Sequence, residues 1–207
     1  MSGVLTLPAS SAGKLSCSGA PTREKRKGMQ IHPVSALFLD LTDFGRLSSE
    51  QPPEALAAML NAFFEGLGAI IAHHSGTIDK FMGDALLVTF NATSDQPDHA
   101  RRAVQTAVEG LRWVRDEFTW EGRRFQARAG VNTGTVAVGP VGTQDRKDTT
   151  VIGAPVNIAA ILQGRAGTNE VLIGPETYQE LQGMYIARPL GTLSIFGQAV
   201  DAYVIMV

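Results

Sequence analysis

An apolar strand that runs into a carboxylate, followed later by another that starts from one, most constrains how this chain can fold. Val34 to Leu39 reads VSALFL, apolar but for Ser35, and leads directly into Asp40. Further on, Gly76 to Phe90 reads GTIDKFMGDALLVTF, with Asp84 standing between Met82-Gly83 and the run Ala85-Leu86-Leu87-Val88. Apolar runs of this length suit central strands covered on both faces. An ionised carboxylate at the edge of such a strand is costly unless something positive compensates it. Two of them point to a shared divalent cation, magnesium or manganese, whose preferred ligands are oxygens.

Periodicity supplies the elements between and after these runs. Pro52-Pro53-Glu54 opens a helix, with proline in the first turn where a missing N–H does no harm. Leu56, Met59, Leu60, Phe63, Phe64, Leu67, Ile70 and Ile71 then recur at three- and four-residue spacing until Ser75-Gly76. Strands are expected over 77–81 and 85–90, joined by a tight turn at Met82-Gly83-Asp84. A second long helix covers 97–118. Strands over 125–132 and 135–138 flank Gly134, 144–149 is a polar loop, and Val151-Ile152 ends a short strand. A helix over 154–163, a strand at 171–173, a short helix over 175–181 and two strands around Gly197 complete the chain. Strand, helix, strand, strand, helix, strand is the ferredoxin-like βαββαβ order, here with additional C-terminal strands and helix. The fold class is α+β, with helices packed on a mainly antiparallel sheet. In that arrangement the end of the first strand lies beside the turn that carries Asp84, so Asp40 and Asp84 converge.

The chain has 207 residues, enough for one domain, expected over 31–207. Residues 1–30 are rich in Ser, Gly, Ala and Pro, end in a basic run, and read as a disordered tail or linker. That segment holds five Lys/Arg against one Glu, leaving thirteen against nineteen in the remainder. The net charge of -2 argues against a nucleic-acid binder. A single cysteine, Cys17, rules out a disulfide framework and makes a reducing cytoplasm the expected compartment. No uninterrupted apolar run reaches the roughly 18 residues needed to cross a bilayer, so no membrane insertion is expected. The N-terminal segment lacks the pattern of a secretory signal.

The strings FLDLTDF, GTIDKFMGDALLVTF, RAGVNTGTVAVGPVG and TTVIGAPVNIAAIL occur in that order. Together they resemble the motifs of the class III adenylate/guanylate cyclase catalytic domain, and the resemblance covers 34–207. It implies a head-to-tail homodimer with active sites shared between two chains. It implies two divalent ions, Mg or Mn, held by Asp40 and Asp84 with the Leu41 carbonyl as a further ligand. Such ions acidify the ribose 3′-hydroxyl and neutralise the triphosphate. Lys80 and Thr150 take the base-reading positions, and threonine at the second matches bacterial members that act on ATP. Asn157 matches the asparagine that orients the ribose, and Arg146 lies where a triphosphate-binding arginine often stands. Two positions depart from the pattern. Ile161 replaces the arginine four residues after the asparagine, and Phe196 replaces a phosphate-gripping lysine. Arg165, Arg146 and Lys147 are candidates to compensate. The resemblance therefore implies an adenylate cyclase, weakened at its transition-state positions. The alternatives are a degenerate domain that binds nucleotide or a partner and regulates, and a chain completed by a different cyclase.

Overall fold

Strand β1 (Gln30–Leu41) divides its side chains between two cores, and the remaining elements are arranged to cover them. The computed structural model describes residues 28–207, so Cys17 and nearly all of the expected tail lie outside the described residues. After β1 come α1 (Phe44–Glu50), α2 (Pro53–His73), β2 (Thr77–Met82), β3 (Ala85–Phe90) and α3 (His99–Asp116). A small hairpin of β4 (Thr119–Trp120) and β5 (Arg123–Arg124) leads to β6 (Ala127–Gly142) and β7 (Lys147–Ile152). The chain ends with α4 (Ala154–Arg165), β8 (Glu170–Ile173), α5 (Pro175–Leu181), β9 (Arg188–Ile195) and β10 (Gln198–Met206). The main sheet runs β2-β3-β1-β6-β8-β10-β9, with β7 paired to β6. Strand β1 is antiparallel to both β3 and β6, while β6 and β8 are parallel. The four strands β2-β3-β1-β6, linked through α2 and α3, are the ferredoxin-like unit.

Alternation along β1 explains the layers. Leu37, Leu39 and Leu41 join Leu86, Val88 and Phe90 under α2 and α3, where Met59, Phe63, Leu67 and Leu111 complete the larger core. Val34, Ala36 and Phe38 face the opposite way, against Val136, Val138, Val151 and α4 residues Val156 and Ala159. Each large side chain buried in this way contributes roughly 1.5–3 kcal/mol relative to exposure. Ser35, the one polar residue of the run, is satisfied inside: its hydroxyl lies 2.8 Å from His99 Nδ1 and 2.7 Å from Thr133 Oγ1. Burial holds the His99 imidazole below its ordinary pKa.

The structure corrects several sequence expectations. Strand β6 is continuous over 127–142 rather than two strands parted at Gly134. The expected polar loop instead enters β7 at Lys147, which pairs with Gly142. Its exposed residues Lys147 to Thr149 carry no apolar signal, because backbone pairing alone holds them. The short helix α1 went unforeseen because none of its residues is buried. Helix α2 reaches a mean hydropathy of 1.7 over an 18-residue window, so by length and composition it could cross a membrane. Here its stripe Met59, Phe63, Leu67 and Ile71 is buried in the domain core.

Gly130 fixes the approach of α4 to the sheet. A Cβ placed there would sit 2.2 Å from Gln163 N and 2.3 Å from Ala159 O, both helix backbone atoms that cannot rotate away. Gly130→Ala should therefore lower stability by about 1–3 kcal/mol, the overpacking range. Chemical denaturation of the variant beside the native chain measures this, and an unchanged midpoint would show that α4 can lift off β6.

Candidate active site

The register of β1 and β3 places Asp40 opposite Ala85, so Asp84 in the preceding turn comes beside it. Gly83 allows that turn, with φ +67 in the left-handed region. Asp40 is 13% exposed at its side chain. Its Oδ2 accepts from Arg128 Nη2 at 3.0 Å, Arg128 Nε at 3.3 Å and Gln163 Nε2 at 2.8 Å. Arg128 lies directly across the β1–β6 ladder from Asp40, and Gln163 arrives from α4 over the Gly130 contact. The Asp84 carboxyl is pushed up to about 6, first by burial and then by the hydrogen bond and repulsion of Asp40, with Arg128 acting the other way. Two carboxylates thus face one guanidinium.

That surplus negative charge suits a divalent cation. Among the described residues no group of three or more His, Cys, Asp and Glu side chains could hold a metal alone. Magnesium typically takes one or two carboxylates and completes its shell with water and substrate phosphate, which matches a pair such as Asp40 and Asp84. Leu41 buries its side chain in the core, and the residue also lines a cavity of about 600 Å³ shared with Thr42, Asp43, Arg46 and Arg124.

A second polar centre forms on the other side of the β2–β3 hairpin. The β6–β7 hairpin folds back across β1 and β3, as the packing of Val136, Val138 and Val151 on Leu87 requires. This brings Thr150 to β2, where Lys80 Nζ donates to Thr150 Oγ1 at 2.8 Å. Thr150 Oγ1 donates to Asp79 Oδ1 at 3.0 Å, and Lys80 also pairs with Asp79. Asn157 is exposed on the first turn of α4. Arg146, 86% exposed at the β6–β7 turn, has Asp148 as its ion-pair partner at 3.8 Å. The structure thus joins Asp40 to Asp84 and Lys80 to Thr150. It records no side-chain contact from Asn157 or Arg146 to either pair. Ile161 is half-buried on α4, Arg165 is exposed at its end, and Phe196 is 71% exposed at the β9–β10 turn.

Residues 27–207 match the adenylate and guanylate cyclase catalytic domain. The chain belongs to this family. Adenylate cyclase 1 of Rhizobium meliloti (strain 1021) is 35% identical over 179 residues, covering 82% of this chain and 27% of that protein. The chain thus spans about a quarter of the length of the curated relatives it matches. Among solved structures, the catalytic core of a rhodopsin-guanylyl cyclase with converted specificity, in complex with ATPalphaS, superposes with a TM-score of 0.82. It is 26% identical and covers 86% of this chain and 98% of that one. The adenylyl cyclase CyaB from P. aeruginosa gives 0.77 at 29% identity, covering 87% and 96%. The cyclase fold is thereby established, and both adenylyl and guanylyl cyclases are structural neighbours.

Sequence reasoning missed three residues of this cyclase domain. Arg128 and Gln163 hold Asp40, and Asp79 holds Thr150. A signal existed for Arg128, a lone charge within the strand sequence ARAGV, which needs a partner as much as Asp40 does. Gln163 carried no comparable signal.

The raised Asp84 pKa sets a stability trend for the metal-free protein. A carboxyl raised from 3.8 to about 6 favours folding while protonated, so its contribution is present below about pH 4 and is lost as pH rises through 6. Asp84→Asn removes the cost of burying that charge and its repulsion with Asp40. With chelator present it should exceed the native chain by ~1 kcal/mol at pH 7.5, after discounting for partial exposure, and by nothing near pH 4. Urea titrations at the two pH values check this; a pH-independent difference would contradict it.

Proposed function

We propose that the protein is an adenylate cyclase, forming 3′,5′-cyclic AMP and pyrophosphate from ATP. The observation that carries this reading is the Lys80–Thr150 contact. It offers the base an ammonium donor beside a hydroxyl oxygen, complementary to the ring N1 acceptor and 6-amino donor of adenine. Guanine presents the reverse pattern, an O6 acceptor and an N1–H donor.

Asp40 and Asp84 would hold two Mg or Mn ions, with the Leu41 carbonyl as a further ligand. Bound there, the ions supply acidification of the ribose 3′-hydroxyl and charge neutralisation at the α-phosphate. Arg128 and Gln163 keep the Asp40 carboxylate oriented. Asn157, exposed on α4, orients the ribose, and Arg146 reaches the triphosphate from its turn. The two centres act in trans, the carboxylates of one chain facing the Lys80–Thr150 pair of a second copy in a head-to-tail homodimer. Exposed apolar side chains flank that pair in sequence, Phe81 and Met82 beside Lys80 and Ile152 close to Thr150. They are the kind of surface that a partner covers.

Ile161 and Phe196 support a second reading, in which the domain binds nucleotide and regulates without turnover. Losing one transition-state donor typically costs about 3–4 kcal/mol, so turnover here should be slow. Purified protein with ATP and Mn²⁺ should form cyclic AMP, and Asp40→Ala should reduce it to background. Ile161→Arg should raise the rate at least about tenfold by restoring charge near the α-phosphate. ATP binding without product, in both the native chain and Ile161→Arg, would favour the regulatory reading.

A further inference from the structure

The pairing of β2 with β3 is irregular at one point. Ile78 stands opposite Val88 and Lys80 opposite Leu87, leaving Asp79 as an extra residue in β2. In a regular strand adjacent side chains point to opposite faces. A bulge re-aims them, and here Asp79 and Lys80 both turn to Thr150. The Asp79 side chain is 5% exposed, against 44% for Lys80, so it is screened from solvent while the ammonium stays accessible.

We propose that Asp79 is a positioning residue that sets base specificity by fixing the direction of the Thr150 hydroxyl proton. This deepens the adenylate cyclase reading and rests on it. A threonine hydroxyl has one proton and two lone pairs, so on its own it serves an amino group or a carbonyl equally well. Thr150 Oγ1 accepts from Lys80 at 2.8 Å and commits its proton to Asp79 Oδ1 at 3.0 Å. What remains for the base is a lone pair, which takes the 6-amino group of adenine and repels O6 of guanine. Lys80 spends N–H groups on Thr150 and Asp79 and keeps one for ring N1, where guanine carries a proton. Asp79 thereby converts an ambiguous hydroxyl into an acceptor. Without it the hydroxyl rotates and donates to O6, and the barrier to guanine falls.

Affinities for ATP and GTP, measured by calorimetry with Mn²⁺, test this together with the kcat/KM ratio for the two nucleotides. Asp79→Ala should lower the preference for ATP about tenfold, chiefly through gained GTP binding, because the hydroxyl is then free to donate to O6 and the lone pair that repels guanine is no longer fixed toward the base. Asp79→Asn, whose amide oxygen still accepts from Thr150, should keep the preference. In a Thr150→Val background, Asp79→Ala should leave the ratio where Thr150→Val put it, since no hydroxyl remains to redirect. Native protein that prefers ATP, with Asp79→Ala folded and its ratio unchanged, overturns this assignment and leaves the cyclase reading standing. So does an equal fall in ratio with and without the Thr150 hydroxyl. Native protein that binds neither nucleotide overturns both.

Discussion

Negative charge gathered at the end of β1 has to be balanced inside the domain, and much of the architecture follows from how that is done. Asp40 closes a strand whose preceding residues fill both cores. Its carboxylate is held by a guanidinium from β6 and an amide from α4. The amide reaches it because Gly130 lets the α4 backbone rest on β6. Asp84 adds a second carboxyl, whose pKa is raised first by burial and then by its neighbour Asp40, with Arg128 only partly offsetting this. The surplus negative charge suits a cation, and the register of β1 and β3 is what sets the Asp84 turn beside Asp40.

The same hairpin serves a second purpose on its outer strand. Strand β3 packs between β2 and β1 and is buried almost throughout. Strand β2 lies at the sheet edge, where a bulge is tolerated. Folding β6–β7 back across the sheet then delivers one threonine to that edge. The Asp40–Asp84 pair and the Lys80–Thr150 pair are thus separated by the width of a hairpin within one chain. A division of this kind suits a composite site made by two copies.

Much of this was legible in the sequence where side-chain pattern carries the information. The β1 run, the α2 stripe and the β2–turn–β3 string each announce themselves through apolar spacing, and Asp40 and Asp84 stand out against it. What escaped was held by backbone or by distant partners. Gly134 reads as a break between strands, yet β6 runs through it and Pro155 packs on it, while Gly130, within the expected strand, is where the α4 backbone rests on β6. Lys147 to Thr149 pair as a strand through main-chain bonds while their side chains stay exposed. Gln163 looks like any helix-surface residue until the packing sets it on Asp40. Asp79 looked like ordinary strand filler because a bulge cannot be read from residue types alone.

The bulge at Asp79 bears also on how copies of this chain can meet. Strand β2 is an edge of the main sheet, and an open edge invites another strand to add on. An extra residue interrupts its hydrogen-bonding rhythm, and the charges of Asp79 and Lys80 stand beside the interruption. Strand-to-strand extension is blunted there, while Phe81 and Met82, just beyond, remain exposed. What this edge offers a partner is therefore exposed side chains more than unpaired backbone.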